Sequence, residues 1–217
     1  MSNGKEINQY ERAFRLWAKV AMMVADGTRE PEHVSMYLQK IVDEAKPKPS
    51  LLELVGLTKV PATTLPFVAK TKFVANTKAD AGVKISGAGH NFTVWFLSDN
   101  GKIEGPLPEQ TLRYHKLLKD SVDSSIIAEL GGEEKSETTL SEMFSVMEMQ
   151  GKGQAGVLWN NGYANIFYVK DQKGVLRAVS MLWDGDGWRV DASPVVGSHT
   201  WCDWRRVFSR QSVSVAA

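Results

Sequence analysis

The stretch AVSMLWDGDGWRVDAS, residues 178–193, decides the fold, because two strand-like runs flank a turn of Gly and Asp residues. Side chains along a strand point alternately to opposite faces. One face then collects the apolar side chains Val179, Met181, Trp183, Trp188, Val190 and Ala192. We predict an antiparallel hairpin that turns at DGDG and buries this face. Burying two indoles and several aliphatic groups contributes several kcal/mol at about 25 cal/mol per Å², so this face is the expected scaffold.

The opposite face and the segment after it have a restricted composition. From Gly174 to residue 217 the chain has no Lys and no Glu, although both are abundant upstream. Randomising the two adenines of an asparagine codon gives Ser, Leu, Asp, Arg, Gly, His and Cys, and never Lys or Glu. Ten residues at the outward positions of this hairpin and in the segment after it belong to this set, namely Ser180, Leu182, Asp184, Arg189, Asp191, Ser193, Gly197, His199, Cys202 and Arg205. Chance over a short segment is the alternative explanation.

The N-terminal part of the chain predicts two helices. Apolar residues recur at three- and four-residue steps over residues 7–25 and again over 34–42, separated by DGTREP. We interpret residues 1–46 as a helical hairpin that packs on the body or acts as a docking or oligomerisation module. The proline-rich KPKPS at 46–50 cannot stay helical, so residues 47–64 are predicted as a linker and 65–217 as the second domain.

In the second domain, the sequence predicts helices and strands that lie in separate runs. Residues 65–97 carry β-branched and aromatic alternations typical of strands, and residues 107–132 predict one or two helices that stop at Gly131. Thr139 and Glu142 have the spacing of a capping box, which predicts a helix to Gly151. The runs GVLW, YANIFYVK, VLRAVSMLW and GWRVDAS predict an antiparallel meander. The fold class is therefore α+β.

Composition narrows the possible partners. The formal charge is +1 and the basic residues are scattered, which gives no argument for nucleic acid or an anionic membrane. No apolar run approaches the ~20 residues that span a bilayer. The N-terminus lacks the pattern of a signal peptide, and the single cysteine suits a reducing compartment. We expect a cytoplasmic protein without a membrane span.

Catalytic and metal motifs are scarce in the sequence. It contains no HExxH, CxxC, GxSxG or P-loop, and the four histidines lie far apart. His199, Cys202 and Asp203 are too few for a zinc site. We predict no metal, no cofactor and no enzyme activity. The alternative is a hydrolase-type enzyme that uses a Cys202/His199 pair, and a further one is a structural partner protein acting through the helical hairpin.

The sequence also resembles the variable proteins of diversity-generating retroelements, in particular those of small-genome bacteria and archaea. ETTLSEMF (137–144), NGYANIFYV (161–169), GVLRAV (174–179), DGW (186–188) and RVFSR (206–210) carry the resemblance, which covers most of residues 65–210. It implies a C-type-lectin-like fold and a gene whose 3′ end is rewritten by a reverse transcriptase with errors at adenines. One departure is Trp204, near which the resemblance implies glycine.

This resemblance implies a ligand-binding protein with a hypervariable surface. The ten codon-set residues then form the ligand contact, with Arg189, Arg205 and His199 as polar anchors, and the expected ligand is a macromolecule, most simply a protein. The calcium-ligand pattern of sugar-binding lectins is absent from the sequence, so calcium and sugar binding are not carried over. The sequence leaves the oligomeric state open.

Overall fold

The chain divides into two units, which we describe separately. The computed structural model describes residues 9–45, 50–197 and 199–211. Contacts between Cα atoms concentrate within Met1–Pro49 and within Ser50–Ala217, which are the two units. Among the described residues, no helix combines the length and the apolar character needed to cross a membrane.

The first unit contains the two helices that the sequence predicts. Helix α1 is Gln9–Ala25 and helix α2 is Pro31–Ala45. Gly27 has a φ of +77° in the turn between them, a conformation that favours glycine. The Asp26 carboxylate accepts a hydrogen bond of 2.9 Å from the Thr28 amide, which closes the turn. Residues 1–8 and 46 of the predicted helical hairpin, and 47–49 of the predicted linker, lie outside the described residues.

The second unit is a mixed α+β structure built around a large sheet, which confirms the predicted fold class at that level. Its strands are β1 (Leu52–Val60), β2 (Phe67–Val68), β3 (Ile85–Ala88), β4 (Ile103–Glu104), β5 (Gln110–Leu117), β6 (Ser121–Val122), β7 (Glu137–Thr138), β8 (Asn165–Lys170), β9 (Leu176–Trp183), β10 (Trp188–Pro194), β11 (Thr200–Trp201) and β12 (Arg206–Arg210). Its helices are α3 (Ala69–Lys72), α4 (His90–Phe92), a π-helical turn (Thr93–Leu97), α5 (Asp123–Leu130), α6 (Glu133–Ser136) and α7 (Leu140–Met149).

The large sheet has the order β1-β5-β12-β8-β9-β10-β3, and β7 pairs with β8 off this path. Strands β8, β9 and β10 form the predicted antiparallel meander, with turns at DQKG and DGDG. Strand β12 returns to pair antiparallel with β5 and parallel with β8. The last described strand therefore lies in the middle of the sheet, where both neighbours fix its backbone.

Two apolar cores cover the two faces of this sheet. We call them the first core and the second core. The first core packs α7 against the strands and contains Met143, Phe144, Phe167, Val179, Met181, Trp188, Val190 and Phe208, among others. The second core packs α5 and Trp201 against the other face, and contains Ile126, Ile127, Ile166, Tyr168, Ala178 and Val207, among others. The second core reaches Leu176 and Ala178 of β9, whereas Ser180 and Leu182 lie beyond it.

Helix α7 begins at the predicted capping box. The Thr139 side chain accepts from the Glu142 amide at 3.1 Å, and the Glu142 carboxylate accepts from the Thr139 amide at 2.7 Å. Glu142 also accepts from Arg210 Nε at 2.7 Å. The buried Glu142 carboxylate thus joins the start of α7 to the end of β12. The capping bonds matter because the first amides of a helix have no acceptor within the helix.

Four sequence predictions in the second unit were wrong. The predicted linker, residues 47–64, contains β1, which pairs with β5 over its whole length. Residues 110–117 form β5 rather than a helix, because β1 and β12 supply hydrogen-bond partners on both sides. Residues 90–97 are helical rather than extended, since Phe92 and Phe96 share a helix face and are both fully buried. The run GVLW at 156–159 is also not a strand.

Candidate functional site

Strands β9 and β10 form the antiparallel hairpin with the turn at DGDG that the sequence predicts. Trp188 pairs with Trp183, Arg189 with Leu182, Val190 with Met181, Asp191 with Ser180 and Ser193 with Ala178. The indole of Trp188 is 0% exposed, and its Nε1 donates to the Gln150 carbonyl at 3.1 Å. The Trp183 ring meets it edge-on, with ring centroids 5.3 Å apart. One face of the hairpin is therefore fixed by buried aromatic packing.

None of the ten codon-set residues is buried. Four of them are half-buried strand residues, namely Ser180, Leu182, Asp191 and Ser193. Arg189 is exposed on β10, Asp184 is exposed in the turn, Arg205 is half-buried, and Gly197, His199 and Cys202 are exposed in the segment before β12. By contrast, Val179, Met181 and Val190, which alternate with them along the two strands, are all 0% exposed. The alternation in sequence is thus an alternation in burial.

Local contacts fix the positions of Asp184 and Asp191 on the outer face of the hairpin. The Ser86 hydroxyl donates to Asp184 Oδ2 at 2.8 Å, which ties the turn to β3. Asp191 accepts from the Ala192 amide at 2.8 Å. A Cβ at Gly89 would come within 2.6 Å or less of all three terminal atoms of the Asp191 carboxylate, so glycine allows the backbone to approach that side chain. Gly89, which directly follows β3, therefore leaves room for the Asp191 carboxylate.

A buried carboxylate anchors the segment that carries the other site residues. Asp123, the first residue of α5, accepts from Tyr168 Oη and Trp201 Nε1, each at 2.8 Å. Burial raises the pKa of the Asp123 carboxyl, and the two hydrogen bonds act in the opposite direction. Burial and the neighbouring carboxylate raise the pKa of Tyr168, so its hydroxyl keeps its proton and donates. This arrangement fixes Trp201 beneath His199 and Cys202.

His199 and Cys202 lie on either side of β11. The imidazole of His199 packs edge-on against Trp201 at a centroid distance of 4.6 Å, and Cys202 is exposed. Among the described residues, no hydrogen bond joins His199 to Cys202, and no group of three or more His, Cys, Asp or Glu side chains is arranged to hold a metal ion. What this segment presents is a set of short, exposed polar groups on a buried indole.

Trp204 and Arg205 continue the surface towards β5. Trp204 has a φ of +61°, and its half-exposed ring lies under Lys116 Nζ at 3.4 Å from the centroid. Positive φ is costly for a residue with a Cβ, which is the physical reason why glycine suits this position. The Trp204 amide donates to the Leu117 carbonyl at 2.9 Å, so the strained residue is held on β5.

Tyr163 is a surface residue that sequence reasoning missed. Its ring is exposed and lies 5.0 Å from the Arg205 guanidinium. The Arg206 amide donates to the carbonyl of the next residue, Ala164, at 3.1 Å, and the following pair in β8 and β9 is Asn165 with Met181. Tyr163 therefore extends the exposed surface around Arg205 towards the start of β8. Its position in an NGY turn is the signal that points to exposure.

The chain was compared with protein-family models, with curated proteins and with solved structures, and none of the three comparisons gave a match.

Proposed function

We propose that this chain is the variable protein of a diversity-generating retroelement and that it binds a protein ligand. In this proposal the body, residues 65–217 with β1 added, is a C-type-lectin-like domain, and residues 1–46 form a helical hairpin. The ligand meets the ten codon-set residues on β9, β10 and the segment 197–205, and the cell varies these residues by rewriting the 3′ end of the gene. Tyr163 and Trp204 are constant aromatic neighbours of the variable positions.

The observation that carries the proposal is the match between codon chemistry and burial. The ten residues were selected from the sequence as asparagine-codon residues at outward positions of the hairpin and in the segment after it, and none of the ten is buried. Trp183 and Trp188 cannot be reached from that codon, and they support the hairpin from the first core. A gene segment that is rewritten repeatedly needs this separation, because surface substitutions usually change stability by within ~0.5 kcal/mol whereas core truncations cost several.

The shape of the surface supports a macromolecular ligand. Three clefts in the described part of the chain are lined by residues drawn from 71–148, 20–41 and 94–173, and none of the ten residues lines any of these three. Small-molecule sites are concave pockets, while protein interfaces combine exposed aromatic and Arg side chains with a polar rim. The pairs Arg205 with Tyr163 and Lys116 with Trp204 offer such anchors.

The experiment that tests the proposal is DNA sequencing of the gene's surroundings. We expect a near-copy of the segment that encodes residues 178–210, differing from it at adenines, beside a gene for a reverse transcriptase. Independent isolates should then differ at the codons of the ten residues and keep those of Val179, Met181, Trp188 and Val190. An invariant gene with no such copy nearby would contradict the proposal.

A further inference from the structure

The two helices of the first unit leave much of their apolar surface uncovered. Among residues 14–41, whose side chains the structure describes, none is buried. Phe14 is 66% exposed, Trp17 is 57% exposed and Ile41 is 61% exposed. An isolated helix pair without a buried core gains too little to offset its conformational entropy. This unit therefore needs a partner surface.

The exposed residues form two distinct apolar regions. An open cleft of about 480 Å³ separates the helices, and Val20, Met23, Val34, Leu38 and Ile41 are among its lining residues. The stripe Phe14, Trp17 and Ala21 follows the i, i+3, i+7 spacing on α1 and is not part of that lining. The unit thus presents both a stripe and a cleft, which is what self-complementary pairing requires.

Charge indicates which surfaces meet. Helix α1 carries three basic residues and one acidic residue, whereas α2 carries three acidic residues and one basic residue. A two-fold axis that places α1 of one copy against α2 of the other brings opposite charges together twice. The same axis allows the stripe of each copy to enter the cleft of its partner.

The available area is sufficient for a stable dimer. Among the described residues 14–41, the exposed large apolar side chains on the stripe side or the cleft side of the helices include Phe14, Leu16, Trp17, Tyr37, Leu38 and Ile41. Together they offer roughly 700 Å² per copy, which is close to one side of a standard protein interface. We propose that a second copy of this chain covers them, and that the two helix pairs form a four-helix dimerisation module. This inference does not depend on the proposed function of the second unit.

The test is the mass of the full-length chain in solution, measured by sedimentation velocity with far-UV circular dichroism as a check on helix content. Wild type should sediment as two copies of 24.1 kDa. The double variant Trp17→Glu/Ile41→Glu should sediment as a monomer, whereas Leu65→Glu, an equally drastic change at an exposed leucine of the second unit, should remain dimeric. A monomeric wild type would overturn the proposal, since its own second unit or another protein would then cover the helices. A double variant that stays dimeric would overturn it as well.

Charge reversal gives a second arm that does not depend on core-like residues. Lys19→Glu neutralises the net charge of α1, and Glu32→Lys neutralises that of α2. Each variant alone should dimerise several-fold more weakly than wild type at low salt. A mixture of the two should associate more tightly than either alone, because the heterodimer restores one oppositely charged helix pair. Equal dissociation constants for the mixture and for the separate variants would contradict the α1-to-α2 pairing.

Discussion

The two faces of the β9–β10 hairpin share one backbone and differ in almost everything else. On one face, Trp188 and Val190 are 0% exposed in the first core, and the Trp188 indole has a hydrogen-bond partner. On the other face, Arg189 is exposed and Asp191 is half-buried at neighbouring positions of the same strand. The comparison shows that the first core and the neighbouring strands fix the backbone of the hairpin. Side chains on the outer face are therefore free to change without moving the backbone.

The largest expected contrast is between two adjacent residues. Trp188→Ala should lower the free energy of unfolding by about 3–5 kcal/mol, because it leaves a large cavity in the first core. Arg189→Ala, one residue along the strand, should change it by no more than about 0.5 kcal/mol. Urea denaturation of the two variants measures both values. Similar losses for the two would mean that the faces are not energetically distinct.

The second contrast concerns Asp123, the buried residue that anchors the 199–205 segment. Asp123→Ala leaves the Tyr168 hydroxyl and the Trp201 indole N–H buried without an acceptor, at a cost of about 2–4 kcal/mol. In Asp123→Asn one amide oxygen can accept both hydrogen bonds, because both reach the same carboxylate oxygen, Oδ1. We expect this variant to stay within about 1 kcal/mol of wild type in thermal or urea unfolding. Equal destabilisation by Ala and Asn would show that the charge of Asp123, rather than its acceptor oxygen, holds the segment.

Wild type and the Asp123→Asn variant should also differ in how their stability depends on pH. Burial holds the pKa of folded Asp123 above its ordinary value of 3.8. The folded chain therefore binds this proton more tightly than the unfolded chain does. As the pH falls from neutral through the raised pKa towards 3.8, wild type should gain stability relative to Asp123→Asn. Denaturation of both proteins across that range checks the sign, and a relative loss for wild type would contradict it.

The part of the fold that follows from local pattern was predictable. The capping box of Thr139 and Glu142, the Gly131 stop of α5 and the turns at DQKG and DGDG are signalled by residues close in sequence. The burial pattern of β9 and β10 also follows, because one face lies on a core and the other does not. Strict alternation in the sequence carries that information.

The part that depends on distant partners was not predictable. In strand β5, Leu112 and Tyr114 have the two-residue spacing of a strand, whereas Tyr114 and Leu117 have the three-residue spacing of a helix. Only the pairing with β1 and β12 decides between them. Asp123 was missed as the anchor of the 199–205 segment, because Tyr168 and Trp201 lie 45 and 78 residues away. Tyr163 was missed for the same reason, since its neighbour Arg205 comes from another segment of the chain.

The smallest contrast isolates the backbone at one surface position. Trp204 has positive φ, which costs roughly 1–2 kcal/mol in a residue with a Cβ. Both Trp204→Gly and Trp204→Ala lose the contact with Lys116, so the difference between them reflects the backbone alone. We expect the Gly variant to be more stable than the Ala variant by about 1 kcal/mol in urea denaturation. Equal stabilities would mean that the segment changes conformation once the indole is gone.

The separation of the two faces is tested most directly by changing each face as a set. In one variant Ser180, Leu182, Arg189 and Asp191 are all replaced by other residues of the asparagine-codon set, and in a matched variant Val179, Met181, Trp188 and Val190 are all replaced by Ala. We predict that the first protein unfolds cooperatively with a free energy within about 2 kcal/mol of wild type, and that the second does not fold. Loss of folding in the first variant, or retention of it in the second, would contradict the account.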